Sequence, residues 1–331
     1  MHGAKRVSVP GPLSSQEPKR RRQNPRLQQA KSTIDCLMRD FPKNREDLIH
    51  HLHGRWILLN SGAEGSAFAC LNQKYVVKLL HDKTPLPSLP HMEFTTKTGE
   101  FFFSDLLAFR GDYTLVWSTK GDYDLHTFAD KAYKQIITMP DMCPARLSYY
   151  ETVLFFLTQI TLQLENLSNQ NYCHRDVSPE NILIHAKHNY AHVFDLGQGA
   201  KKNDCGEVPA GAGKPDSIDR YHLHLEKDGK FSVVDKPLTL VPGAAFDIQA
   251  VGITAVRVLL FQNPPSQEKR LTQSNWLEEL PWPTALPLKL RAMLVQTQDV
   301  VPENRPSFRD VYNILCHTLV DMQNENNMSS E

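Results

Sequence analysis

Between Trp56 and Leu80 the apolar positions come in short runs broken by polar turns. The stretch "WILLNSGAEGSAFACLNQKYVVKLL" predicts two strands around a glycine-containing turn and a third strand ending in "YVVKLL". Upstream, Ile34, Leu37, Met38 and Phe41 keep helical spacing, so a short helical region is expected from Lys31 to about His53. Downstream, Pro85, Pro87 and Pro90 interrupt the chain. "EFFFSDLLAF" and "YTLVWS" then flank "RGD", an antiparallel pair closed at Gly111. Past Trp117 the period lengthens. "ARLSYYETVLFFLTQITLQLENLSNQ" holds helical spacing without an internal proline or glycine and predicts a long, largely buried helix. Two short strands follow, "NILIH" and "YAHVFDLG", joined by a turn at His188–Asn189. Three further helical segments are "FDIQAVGITAVRVLLF", "PLKLRAMLVQTQ" and "SFRDVYNILCHTLVDMQ". A sheet-rich first part joined to a helix-rich second part is an α+β arrangement. Within the second part, between "YAHVFDLG" and "FDIQAVGITAVRVLLF", "RYHLHLEKDGKFSVV" predicts a hairpin turning at Asp228–Gly229.

Charge adds an asymmetry to that picture. The chain is formally neutral, yet residues 1–31 hold eight Lys/Arg against one acid, leaving 29 bases and 36 acids on the remainder, a net of minus seven. This basic tail is expected to be disordered. Its cluster "PKRRRQNPR" reads either as a solvated extension or as a contact for nuclear import factors or nucleic acid. The six cysteines stand singly with no CxxC pair, which indicates neither a disulfide framework nor a zinc knuckle. No apolar run approaches the roughly 20 residues a membrane helix needs, and the start of the chain lacks a signal-peptide core. An intracellular setting, nucleus or cytoplasm, is expected. The bunched histidines His50, His51 and His53 lack the partners of a zinc grid and read as ordinary surface or strand residues.

The chemistry concentrates between Asn171 and Ala200, "NYCHRDVSPENILIHAKHNYAHVFDLGQGA". Here His174, Arg175, Asp176 and Asn181 meet the spacing H-R-D-x-x-x-x-N, and Asp195-Leu196-Gly197 follows as D-x-G, nineteen residues after Asp176. Asp and Asn also form turns. The combined spacing, with a strand pair between its halves, sets this stretch apart. It resembles the catalytic loop and metal-binding triplet of the protein kinase superfamily.

That resemblance implies a two-lobed kinase-like fold. The kinase-like domain would run over 32–331, with a small β-rich lobe at about 54–118 and a larger helical lobe at about 119–320. It implies ATP and Mg2+ as cofactors and protein hydroxyls as acceptors, Ser/Thr ahead of Tyr. Asp176 would be the catalytic base, Arg175 would steady the activation segment, and Asn181 and Asp195 would hold magnesium, a hard cation served by oxygen ligands. Lys78 in "YVVKLL" resembles the lysine on the α- and β-phosphates. Gly62 and Gly65 match the second and third glycines of the phosphate-covering turn, with Asn60 in place of the first. The adenine is expected against the linker that includes Ser118 and Lys120, with Trp117 guarding the back of the pocket. Asp247 and Arg305 match structural positions of the family, so the resemblance extends from about Leu58 to about Leu319.

Four departures accompany it. Ser178 replaces the lysine usual two residues after the catalytic aspartate. The Pro-rich connection after Lys78 leaves little room for the helix whose glutamate pairs with that lysine, so Glu93 or Glu100 is expected in its place. "LVPG" stands where Ala-Pro-Glu should close the activation segment, and the hairpin around Asp228 interrupts the usual peptide platform. Two alternatives stay open: a pseudokinase that binds or scaffolds, and a small-molecule kinase.

Overall fold

The computed structural model describes residues 24–61, 64–70, 74–81, 91–209, 223–225, 231–233, 240–262, 276–299 and 301–328. It is a mixed helix-and-sheet structure of the α+β kind. The chain enters through α1 (Pro25–Arg39) and α2 (Arg45–Arg55). Each begins at an asparagine cap: Asn24 accepts the Arg26 N–H at 3.0 Å and Asn44 accepts the Asp47 N–H at 3.1 Å. The helical region expected from Lys31 is therefore two helices, and the first starts inside the stretch expected to be a loose tail. Its reason is burial. Leu27 and Ala30 sit on the same helix face as Ile34 and Met38 and are nearly inaccessible, so the helix extends back to the cap.

Seven strands follow: β1 (Trp56–Ser61), β2 (Gly65–Cys70), β3 (Tyr75–Leu80), β4 (Met92–Thr95), β5 (Phe101–Ser104), β6 (Leu106–Arg110) and β7 (Tyr113–Thr119). Five form an antiparallel sheet in the order β1-β2-β3-β7-β6. One face of this sheet, with Phe68, Val77, Leu79, Leu115 and Trp117, packs under α1 and α2. The segment "EFFFSDLLAF", expected as one strand, divides at Asp105, whose φ of 61° turns the chain out of extended geometry. The first piece, β5, pairs instead with β4 as a hairpin. That hairpin joins two cores. Phe103 packs with Tyr75 in the first core, while Phe94 stacks on His192 at 4.8 Å and Phe102 on His185 at 3.9 Å.

Beyond β8 (Tyr123–Asp124) comes α3 (Leu125–Ile136), a helix absent from the sequence-based expectation. Asp124 caps it through the Thr127 N–H, and Leu125, Ala129 and Ile136 are its buried positions. The long helix α4 (Pro144–Asn169) runs through the second core and is followed by β9 (Tyr172–Cys173), β10 (Ile182–His185) and β11 (Tyr190–Val193). The chain continues through β12 (Ala200–Lys201), β13 (Glu207–Pro209), β14 (Leu223–Leu225), β15 (Phe231–Val233) and β16 (Leu240–Pro242) to α5 (Gly243–Leu259), α6 (Leu288–Thr297) and α7 (Phe308–Met328). β14 and β15 pair antiparallel, as the hairpin expectation requires; Asp228–Gly229 lies outside the described residues. Leu154, Leu157 and Ile160 of α4, Val251 and Val256 of α5, and Leu315 and Leu319 of α7 share one buried cluster. Among the described residues no helix is long and apolar enough to cross a membrane.

Candidate active site

The site is built from alternation on β3. Val77 and Leu79 point to the apolar side of the sheet, so Val76 and Lys78 must point the other way, into a cleft of about 940 Å³ between the sheet and the catalytic-loop segment. Lys78 Nζ donates to Glu64 Oε2 at 2.7 Å and to both oxygens of Asp195 at 3.0 and 3.1 Å. Burial alone would lower the Lys78 ammonium; Asp195 and then Glu64 outweigh it and hold it above its ordinary value. For Glu64, burial pushes upward, but Lys78 and Gln198 hold its carboxyl below its ordinary value.

Asp195 follows β11 in a left-handed conformation, φ 62°, which swings its carboxylate toward β3. The segment from His174 to Asn181 is anchored from behind. Asp247, buried on α5, accepts the backbone N–H groups of His174 and Arg175, each at 2.8 Å. Cys173 Sγ donates to the Gly243 carbonyl at 3.1 Å, and Arg257 forms a two-pronged pair with Glu180. Asn181 Nδ2 donates to the Asp176 carbonyl oxygen at 2.9 Å and to Asp176 Oδ2 at 2.7 Å. These bonds fix the Asp176 carboxylate, and the other end of the Asn181 amide is Oδ1, an oxygen acceptor. Arg175, with φ 67°, does not line the cleft; its Nη1 donates to the Gln198 carbonyl at 3.2 Å, steadying the segment after Asp195.

Of the residues singled out from sequence, Gly65, Lys78, Ser118, Lys120, Asp176, Asn181 and Asp195 line this one cleft, and Gly62 lies outside the described residues. Gly65 has a packing reason of its own: a Cβ there would fall 2.3 Å from the Leu79 carbonyl oxygen. Ser118 Oγ accepts the Asp105 N–H at 3.1 Å. The Lys120 N–H already donates to the Lys74 carbonyl at 2.7 Å, so that linker donor is engaged within the protein.

Three expectations are corrected. Trp117 does not guard the cleft: β7 alternates like β3, so Val116 and Ser118 face the cleft while Trp117 lies fully buried against Phe41 and Trp56. Glu93 and Glu100 are not the partners of Lys78. Glu93 sits on β4 beside His91 at 3.2 Å, and Glu100 lines a separate cavity with Arg26 and Lys74. The carboxylate that reaches Lys78 besides Asp195 is Glu64, in the turn between β1 and β2. Its signal in the sequence is an acid between the two glycines of "GAEG".

A second unforeseen group is Asp105. It is 4% exposed, its Oδ1 accepts the Leu196 N–H at 3.2 Å, and its Oδ2 has no hydrogen-bond partner. Burial, with the nearby Asp195 charge, pushes its carboxyl up to about 6.

No family model matches the chain. Over 77 residues it is 30% identical to serine/threonine-protein kinase MRCK beta of Homo sapiens, and to the same protein of Rattus norvegicus and Mus musculus. That stretch is 23% of this chain, and the chain spans about 4% of the length of these curated relatives. The likeness is thus partial, and what it points toward is a relationship to serine/threonine kinases.

Proposed function

We propose that the protein is an ATP- and Mg2+-dependent kinase that transfers the γ-phosphoryl group to protein hydroxyls, Ser/Thr in preference to Tyr, on a two-lobed kinase-like fold. The observation that carries this reading is the convergence in one cleft of Lys78, Asp176, Asn181 and Asp195, with Lys78 and Asp195 in direct contact although 117 residues apart. Phosphoryl transfer asks mainly for positioning and charge neutralisation, and each group has such a task. Lys78 orients the α- and β-phosphates. Asp176 accepts the acceptor hydroxyl's proton as that oxygen bonds to the γ-phosphorus and the bond to the β-phosphate oxygen breaks, leaving ADP. Asp195 and the Asn181 Oδ1 are oxygen donors suited to magnesium, which would neutralise phosphate charge.

The scaffold reading rests on the missing helix glutamate and the altered activation segment; the Glu64–Lys78 contact answers the first of these. Against the small-molecule reading stands the anchoring of the catalytic loop by Asp247. The likeness to a serine/threonine kinase favours protein substrates in the same direction. The basic stretch over residues 1–31 would serve nuclear import or nucleic-acid contact, which favours a nuclear or cytoplasmic setting.

The test offers γ-labelled Mg-ATP to the full chain together with Ser-, Thr- and Tyr-containing peptides, an aminoglycoside and choline. Label on Ser/Thr peptides that vanishes in Lys78→Met is the expected result. Label on the metabolites alone would replace protein with small-molecule acceptors, and no label on any acceptor or on the chain itself would overturn the kinase.

A further inference from the structure

Glu64 makes contacts that no other residue near the cleft combines. Through Oε2 it holds the Lys78 ammonium at 2.7 Å, and through Oε1 it accepts Gln198 Nε2 at 2.8 Å. Its carboxylate lies over Gly197, where a Cβ would fall 2.7 Å from Oε2, so the glycine of the D-x-G triplet makes room for it. Gln198 in turn gives its carbonyl to Arg175, and the backbone of Arg175 is held by Asp247. A chain of polar contacts therefore runs from the turn between β1 and β2, across the segment after Asp195, to the catalytic loop and α5. With its side chain 27% exposed and Lys78 at 22%, the pair is partly withdrawn from water, where a charged hydrogen bond holds geometry more firmly than at an open surface.

We infer that Glu64 is the positioning partner of Lys78, and that, standing directly before β2, it also latches the start of that strand to the segment following Asp195. The inference rests on the kinase reading for its catalytic consequence but on geometry alone for the latch. In a site where the partner of the lysine stands on a separate element, fixing the lysine and joining these two segments are two events. Here they are one: Glu64 cannot move away without releasing Lys78 Nζ and Gln198 Nε2 together. Gln198 is then a second positioning residue, acting through Glu64.

The experiment uses the full chain as wild type, Glu64→Ala, Glu64→Asp and Gln198→Ala, with two readouts. Steady-state transfer of γ-phosphate resolves kcat from KM for ATP. Hydrogen exchange follows the peptides covering 64–70 and 195–201, with α7 as an internal reference. Glu64→Ala should lower kcat by about ten- to hundredfold, the loss expected when one partner of a charged hydrogen bond goes, with a smaller change in KM. Glu64→Asp should recover part of that loss, and Gln198→Ala should lower kcat severalfold. In Glu64→Ala both cleft peptides should exchange severalfold faster while α7 is unchanged. Transfer by Glu64→Ala equal to or above wild type would overturn the positioning role. Exchange that rises in only one of the two peptides, or in neither, would overturn the latch. Should the wild type transfer no phosphate to any acceptor, the kinase reading fails, and the exchange result still decides whether Glu64 joins the two segments.

Discussion

The two faces of the five-stranded sheet are made by the same strands and obey opposite rules. On one face Phe68, Val77, Leu79, Leu115 and Trp117 are sealed under α1 and α2 in a single apolar cluster. On the other, Lys78, Glu64 and Asp195 are held by one another in a cleft, with the buried Asp105 carboxyl set against the Asp195 charge. The apolar face is stabilised by removal of area from water, roughly 25 cal/mol per Å², and its specification is local to each strand. The polar face stores conflict: carboxylates from two separate segments, Glu64 and Asp195, converge on one ammonium, and the buried Asp105 carboxyl lies near the Asp195 charge, an arrangement that folding alone does not favour and that binding a charged ligand does. One residue step along β3, from Val77 to Lys78, crosses from structure to chemistry.

Substitutions can break that contrast. Trp117→Ala removes the largest fully buried side chain of the apolar face and should cost about 3–5 kcal/mol in urea unfolding. Transfer per folded molecule should stay near wild type; a large fall in kcat with unchanged stability would mean that Trp117 serves the cleft after all.

Asp105→Asn sharpens the contrast from the other face. Its carboxyl is raised from an ordinary 3.8 to about 6, so the folded state binds a proton more tightly than the unfolded one between those values. Stability is therefore higher below about pH 4 and falls as pH rises through about 6. A shift of about two units corresponds to about 3 kcal/mol. The neutral amide keeps an oxygen for the Leu196 N–H and should stabilise the protein at about pH 7 by up to about 3 kcal/mol, with little gain near pH 4. Equal stability of the two proteins across that window would show that Asp105 is not held against its charge.

Smallest is Asn44→Ala. Loss of the cap on Asp47 N–H should cost about 1 kcal/mol, because α2 keeps Leu48 and Leu52 buried, and should leave nucleotide affinity alone. Thermal melts and nucleotide titration of the same sample would check both halves.

Much of this arrangement was legible in the chain. Alternation in "YVVKLL" is enough to put Lys78 opposite Val77, and the H-R-D-x-x-x-x-N and D-x-G spacings mark Asp176, Asn181 and Asp195, which share its cleft. What was not legible depended on contacts distant in sequence. The single apolar run around Asp105 looks like one strand until the Leu196 N–H, 91 residues away, gives that aspartate a reason to turn. Glu64 looks like a turn residue until β3 and the D-x-G segment arrive beside it. Trp117 and Ser118 differ by one position, so an alignment uncertain by one residue reverses which of them faces the cleft. The helix α3 was legible but passed over: Asp124 and Thr127 form a capping pair ahead of a spaced apolar set.

Whether the polar face performs phosphoryl transfer with Asp176 as its base is decided by comparing wild type with Asp176→Asn. Both proteins are titrated with Mg-ATP and then assayed for γ-phosphate transfer to the Ser/Thr peptides. The account predicts ATP affinities within about threefold of each other and a fall in kcat of about 10²–10⁴-fold, the range for removing a positioned base. Equal transfer by the two proteins, or tight ATP binding with no transfer by the wild type, would contradict it.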